Sequence, residues 1–212
     1  LKQSPEAQKR RVLVCCGTGC LACGAAAVAE KLEEELAALP QSKRAELNLV
    51  VKRTGCHGFC ENGPLVVLMP EGTFYKGVKP RQIPEIVERA LLGDEVIEEL
   101  LYVNPHTGER VPDYGAIDFY AAQTRVAMRN IGQIDPANLD DYLVRDGYLA
   151  LARVLSSMSP EDVLSTVEQS GLRGRGGGGF DAGRKWRFCK RAEGDTRYVI
   201  CNGDEGDPGA FM

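Results

Sequence analysis

The chain has 212 residues, 43% of them hydrophobic and 26% charged, with a formal net charge of −4. That is the composition of an ordinary globular protein with room for one large or two small domains. The charge balance points away from nucleic acid and anionic membrane surfaces, and no apolar run approaches the length of a transmembrane helix. Eight cysteines with no visible signal peptide point to a reduced, cytoplasmic protein that uses thiolates as ligands.

Residues 1–10 are polar and read as a frayed lead-in. Residues 11–15 form a short apolar strand that runs into Cys15-Cys16-Gly17-Thr18-Gly19-Cys20-Leu21-Ala22-Cys23. Residues 24–39 carry apolar positions at helical spacing, and Pro40 is expected to close that helix. A strand over 47–53 delivers Cys56-His57-Gly58-Phe59-Cys60. Residues 65–69 and 73–76 read as a hairpin across Pro70-Glu71-Gly72, and residues 80–92 as a helix ended by Gly93. This order of strand, helix, strand, hairpin and helix is thioredoxin-like. It places both cysteine loops at strand ends, where they can meet.

Paired as C-x4-C (Cys15, Cys20) and C-x3-C (Cys56, Cys60), four thiolates from two glycine-rich loops match the demand of a [2Fe–2S] centre. Three alternatives stay open at this point. Zinc also takes four cysteines. Cys20-x-x-Cys23 after a strand fits a thioredoxin-type dithiol. Structural disulfides fit an oxidising compartment. Cys16 and Cys23 fall outside the ligand pattern, and His57 reads as a neighbour of the cluster and not a ligand.

Residues 95–112 read as a linker, with His106 at the surface. Helices are expected over 118–130, 138–146 and 148–157, with Met158 and the Leu and Val residues around it in the core. Ser159-Pro160-Glu161-Asp162 signals an N-cap for a helix to about residue 169. The loop from Gly171 to Phe180 is rich in glycine, with Gly174, Gly176 and Gly179 in a formal G-x-G-x-x-G. A helix precedes it, so it is neither a standard dinucleotide fingerprint nor a Walker A loop. Its glycines still let backbone N–H groups approach an anion, with Arg173, Arg175, Arg184 and Lys185 adding positive charge. An apolar strand over 197–201 leads into Asn202-Gly203-Asp204-Glu205-Gly206-Asp207, suited to a polar ligand edge. Cys189 and Cys201 read as buried fillers.

The run from Gly171 to Phe180, Gly183-Arg184-Lys185-Trp186 and the stretch from Cys201 to Gly209 together resemble the FMN- and NADH-binding core of the complex I flavoprotein subunit. The same core occurs in NAD-linked hydrogenases and formate dehydrogenases. The N-terminal cysteine loops resemble the thioredoxin-like [2Fe–2S] domain fused ahead of this core in the beta subunits of electron-bifurcating [FeFe] hydrogenases. Phe119-Tyr120 and Arg129-Asn130-Ile131-Gly132 are similar to the same group.

The resemblance implies an α/β architecture in three parts. These are a thioredoxin-like [2Fe–2S] domain (1–94), a linker and helical connector (95–158), and the start of an FMN/NADH-binding domain (159–212). It assigns Cys15, Cys20, Cys56 and Cys60 to the cluster, and Gly174, Arg175, Gly176, Lys185, Asn202, Asp204 and Glu205 to FMN. Phe180, Phe188 and Asp207 fall to the nicotinamide nucleotide. The implied function is electron transfer between NAD(H), FMN and iron–sulfur centres, with no catalytic acid or base, in a hydrogenase-type complex. Its partners would be other iron–sulfur subunits and ferredoxin. A formate dehydrogenase, a complex I-like subunit or a stand-alone [2Fe–2S] carrier are the alternatives. Met212 falls inside the flavin core, so the chain is expected to be part of a longer one that holds FMN fully and adds a [4Fe–4S] cluster. Alone, the 212 residues are expected to hold the [2Fe–2S] cluster and to be inactive.

Overall fold

In the computed structural model, which describes residues 9–175 and 178–200, the chain divides into two compact units, one ending at Arg145 and the other starting at Asp146. The first is built on β1 (Arg10–Cys15), whose Val12 to Cys15 are fully buried. A short helix α1 (Thr18–Ala22) carries the first cysteine loop, and α2 (Ala25–Ala38) follows. α2 buries Ala25, Val28, Ala29 and Leu32, the i, i+3, i+4, i+7 stripe of a core-facing helix. α2 ends before Pro40, as expected, and Pro40 then leads into a separate helix, α3 (Gln41–Leu47), which stops where Asn48 turns left-handed at φ 41°. β2 (Leu49–Thr54) then lies parallel to β1, so Cys15 stands opposite Thr54 and both strands open at one end of the sheet.

β3 (Val66–Met69) runs antiparallel on the other side of β1, and β4 (Thr73–Tyr75) hairpins back onto it, giving the order β2-β1-β3-β4. Both faces of this sheet are buried. Val12, Val14, Val66 and Leu68 face one apolar layer with Val28, Leu32, Ile83 and Ile86. Leu13, Cys15, Leu65 and Val67 face the other with Cys20, Phe74, Ile117 and Tyr120. This is the period-2 alternation of a strand read on two sides at once. The expected helix over 80–92 forms with changing pitch: a 3-10 turn (Pro80–Gln82), α4 (Ile83–Glu85) and a π-helical stretch (Ile86–Leu92).

Residues 95–112, expected as a linker, are held against the free edge of β4. Lys76 N–H donates to Leu100 O and Phe74 N–H to Pro112 O, each at 2.8 Å. β5 (Tyr102–Val103) and β6 (Arg110–Val111) form a two-stranded ribbon between these contacts. An unpaired edge strand leaves its backbone groups to solvent, and the segment covers them. The helix expected over 118–130 shrinks to α5 (Asp118–Ala121). Its residues leave the helix to pack on the cysteine loops, so tertiary contact overrides local propensity. α6 (Leu139–Val144) starts at Asn138, whose side chain accepts from the N–H groups of Asp140 and Asp141. Asp141, buried, pairs with the buried Lys52 of β2 and also accepts the N–H of Asp135 at 2.9 Å.

The second unit is helical over its described residues. α7 (Leu149–Ser157) exposes Leu149, Leu151 and Leu155, so the expectation that the apolar residues around Met158 are core is corrected. No described residue of this unit covers that face. α8 (Pro160–Gln169) has the expected Ser159 cap, reciprocated by Asp162. α9 (Ala182–Arg191), which the glycine-rich reading missed, packs closely on α8. A Cβ at Gly183 would lie 2.6 Å from the backbone nitrogen of Glu168. Arg187 clamps Glu168 through two nitrogens and Glu161 through a third, and Lys190 also reaches Glu161. Cys189 is exposed, correcting its reading as a filler. The strand expected from residue 197 does not form over 197–200, where Tyr198, Val199 and Ile200 are exposed. A strand is stabilised by its neighbours, and no described strand pairs with it.

The α8–α9 clamp carries a pH signature. Hydrogen bonds from Lys190 and then Arg187 hold the Glu161 carboxyl down to about 2, against an ordinary 4.5. A carboxylate held low in the folded state stabilises it above the unfolded pKa, and that contribution drains away as pH falls. Fluorescence of Trp186, the one tryptophan in the sequence, is therefore expected to be flat from pH 7 to about 5 and to change between about 4.5 and 2. Glu161→Gln is expected to flatten that transition, and an unchanged profile would remove the clamp from the explanation.

Candidate iron–sulfur site and glycine loop

The parallel pairing of β1 and β2 brings the two cysteine loops together. Strand alternation puts Cys15 on the same face as Cys20, whereas Cys16 packs against the opposite apolar layer. Cys56 and Cys60 lie with their sulfurs 3.6 Å apart. Cys15 lies within reach of the Cys20 and Cys56 thiols, either of which can donate to its sulfur, and its own thiol donates to Gly55 O at 3.8 Å. The four sulfurs thus form a continuous set, Cys20 and Cys15 buried at its inner end and Cys60 exposed at its outer end. Cys23 is exposed at the end of α1, and the seven described cysteines are all free thiols. Among the described residues, no group of three or more His, Cys, Asp or Glu is drawn tightly enough around one point to hold a single metal ion.

The surroundings of the sulfurs are those of a cluster cradle. Gly58 N–H donates to Cys56 Sγ at 3.2 Å. The backbone N–H groups of Gly17 and His57 bond Cys15, and that of Leu65 bonds Cys20. The hydrogen bond from Cys20 is the main reason that the Cys15 thiol is pulled down to about 6, and the same contact pushes Cys20 up. Burial pushes Cys56 up to about 11. Two glycines leave no room for a side chain: a Cβ at Gly17 would sit 2.6 Å from Cys56 Cβ, and one at Gly63 2.6 Å from Cys20 Sγ. Convergent thiols, N–H donors aimed at sulfur and close backbone approach fit a [2Fe–2S] group.

Sequence reasoning missed the outer wall. Phe59, inside the second loop, stacks on Phe119 at 5.1 Å and meets Tyr120 edge-on at 5.7 Å. Arg125 lies 5.2 Å over the Tyr120 ring and donates to His57 O at 3.3 Å. His57 is buried, its Nε2 has no partner among the described residues, and burial followed by Arg125 lowers its pKa to about 4. Its ring lies against Gly132, where a Cβ would come within 2.6 Å of it. The available signals were the aromatic residues at 114, 119 and 120 and the resemblance carried by Phe119-Tyr120 and Arg129-Asn130-Ile131-Gly132.

In the second unit the glycine loop closes through Gly174 N–H to Phe180 O at 2.8 Å, and Arg173 Nε donates to Gly179 O at 2.6 Å. Asp181 caps α9 by accepting the Arg184 N–H at 2.7 Å. Phe180 and Phe188 stand half-exposed with centroids 6.3 Å apart, and the Arg184 guanidinium lies over both at 5.9 and 5.4 Å. Arg175 and Lys185 are exposed, with no carboxylate partner among the described residues. Cationic side chains, an open glycine backbone and two aromatic faces suit a phosphate-bearing planar cofactor. Gly176, Asn202, Asp204, Glu205, Asp207 and Cys201 lie outside the described residues.

Residues 2–91 match the family described as thioredoxin-like [2Fe–2S] ferredoxin, and residues 167–212 match the Nuo51 FMN-binding domain. The chain is 51% identical over 86 residues to HndC, a component of the NADP-reducing hydrogenase of Solidesulfovibrio fructosivorans, covering 41% of this chain and 17% of that protein. It is 43% identical over 86 residues to a component of the NADH-quinone oxidoreductase of Rhizobium meliloti, covering 41% of this chain and 20% of that protein. The thioredoxin-like [2Fe–2S] ferredoxin structure from Aquifex aeolicus shares 33% identity, covering 43% of this chain and 94% of that one, with a TM-score of 0.40. The chain spans about a fifth of the length of these two curated relatives. No described helix is long and apolar enough to cross a membrane.

Proposed function

We propose that the chain, whose residues 2–91 match the thioredoxin-like [2Fe–2S] ferredoxins and whose residues 167–212 match an FMN-binding domain, is the electron-transferring part of an NAD(H)- or NADP(H)-linked oxidoreductase subunit. Electrons pass between a flavin, which takes a hydride as a pair, and iron–sulfur centres, which take them singly. The observation that carries this reading is the convergence of Cys15, Cys20, Cys56 and Cys60 in one cradle of N–H donors. In it these four cysteines are the ligands of the [2Fe–2S] cluster. The buried position of Cys20 beside an exposed Cys23 disfavours a dithiol enzyme, whose attacking thiol has to be accessible.

The same reading places the phosphate of FMN by Gly174, Arg175, Gly176 and Lys185, and its polar edge by Asn202, Asp204 and Glu205. Phe180, Phe188 and Asp207 meet the nicotinamide nucleotide. The chain's own work is to bind, orient and screen these groups; no side chain serves as acid or base. The working parts are residues 1–94, 95–158 and 159–212. The whole protein is a cytoplasmic hydrogenase-type subunit of the electron-bifurcating [FeFe] class, with a [4Fe–4S] cluster beyond this stretch and iron–sulfur subunits and ferredoxin as partners. Names of the relatives support a hydrogenase or NADH-oxidising setting.

An anaerobic EPR spectrum with iron, acid-labile sulfide and flavin counted per chain tests this. About two irons, two sulfides and a reduced [2Fe–2S] signal are expected. Iron without flavin would confine the 212 residues to single-electron transfer. Zinc in place of iron would overturn the reading.

A further inference from the structure

We propose that Tyr120, which lies beyond the ferredoxin-matching residues 2–91, donates its hydroxyl hydrogen bond to a sulfur of the bound cluster and so raises the cluster's reduction potential. This rests on the reading of Cys15, Cys20, Cys56 and Cys60 as ligands. Tyr120 is 8% exposed, and its Oη has no hydrogen-bond partner among the described residues. A buried hydroxyl left unpaired is costly, and native proteins seldom leave one so.

The side chain sits in the same buried layer as Cys15 and Cys20. Four aromatic rings hold it: Phe119 at 5.0 Å, Tyr114 at 5.6 Å, Phe59 at 5.7 Å and Phe74 at 6.0 Å. Phe59 belongs to the Cys56–Cys60 loop itself, so the tyrosine is packed directly on that loop. The phenol lies close enough to Cys15, Cys56 and Cys20 to feel their charge, and a phenol is protonated at neutral pH and so is a donor. The other two orphaned atoms do not serve the same purpose. Asn130 Oδ1 can only accept, and the His57 ring is turned against Gly132.

Reduction adds negative charge to the cluster, so a hydrogen bond to its sulfur strengthens on reduction and favours the reduced form. Tyr120→Phe removes the donor and keeps the ring. In an EPR-monitored redox titration of the cluster-loaded chain, Tyr120→Phe is expected to keep wild-type iron and sulfide. Its ratio of reduced to oxidised cluster at the wild-type midpoint is expected to fall about tenfold, equivalent to about 59 mV for one electron. Placing 3,5-difluorotyrosine at position 120, a stronger donor, is expected to shift the midpoint the opposite way. That second variant decides the matter if Tyr120→Phe loses its cluster. Superimposable titration curves for wild type and either loaded variant would overturn the proposal while leaving the ligand assignment intact. A wild-type chain without a two-iron cluster would overturn both.

Discussion

Replacing Cys20 with alanine is expected to take the chain from about two irons to essentially none, while Cys23→Ser keeps both. The two cysteines are close neighbours in the chain, so sequence distance cannot separate them; position does. Cys20 is buried, bonded to Cys15 and to the Leu65 backbone, and sits where a Cβ on Gly63 would touch it. Cys23 is exposed at the end of α1. Losing one of four thiolates leaves an iron short of a ligand with no water-accessible substitute at the inner end of the site. Gly17→Val is expected to act in the same direction without removing any ligand. Its Cβ would lie 2.6 Å from Cys56 Cβ and 2.8 Å from the Cys56 backbone, so the second loop has to move away. Iron and sulfide analysis of the three variants checks the pattern. Full iron in Cys20→Ala, or loss in Cys23→Ser, would undo the ligand assignment.

Asp141→Ala is expected to destabilise the first unit by about 3–5 kcal/mol, the usual cost of breaking a buried ion pair from one side. For a unit of this size that corresponds to a melting temperature lower by roughly 10–16 °C. Asp141 and Lys52 are each 8% exposed, and Asp141 also accepts the Asp135 N–H. Removing the carboxylate takes one buried partner from Lys52 and one from the Asp135 backbone at once. Asp141→Asn keeps an acceptor for Asp135 and is expected to cost less. The double change Lys52→Met with Asp141→Leu, which removes both charges, is expected to recover much of the loss. Thermal melts of the three variants decide; equal melting for Asp141→Ala and wild type would mean that the pair contributes nothing to holding α6 on β2.

Much of the site was legible in the residues. The C-x4-C and C-x3-C spacings, each after an apolar run, placed two loops at strand ends, and the parallel register of Cys15 with Thr54 brings them together. The Ser159 cap was legible because a capping box is a local device whose partners lie within one helical turn. The length of α5 was not. Its continuation looks helical on local preference, yet Arg125 and Gly132, beyond its end, are worth more against the second cysteine loop than in another helical turn. α9 was hidden for a related reason: its run of charge reads as solvated loop until Glu161 and Glu168 arrive from α8 to neutralise it.

The amino-acid sequence by itself determined the number of thiols, their pairing into two loops and the glycines that allow backbone to approach sulfur. These depend on spacing and residue type within a few positions of one another. The spacing had already favoured Cys15 over Cys16; the tertiary structure adds that the two lie on opposite faces of β1, Cys15 with Cys20. It alone brought Tyr120, Arg125 and Gly132 to a cysteine loop far earlier in the chain, and buried Asp141 against Lys52 across 89 residues. Contacts across such distances are selected by packing of the whole unit, and no local pattern in the chain encodes them.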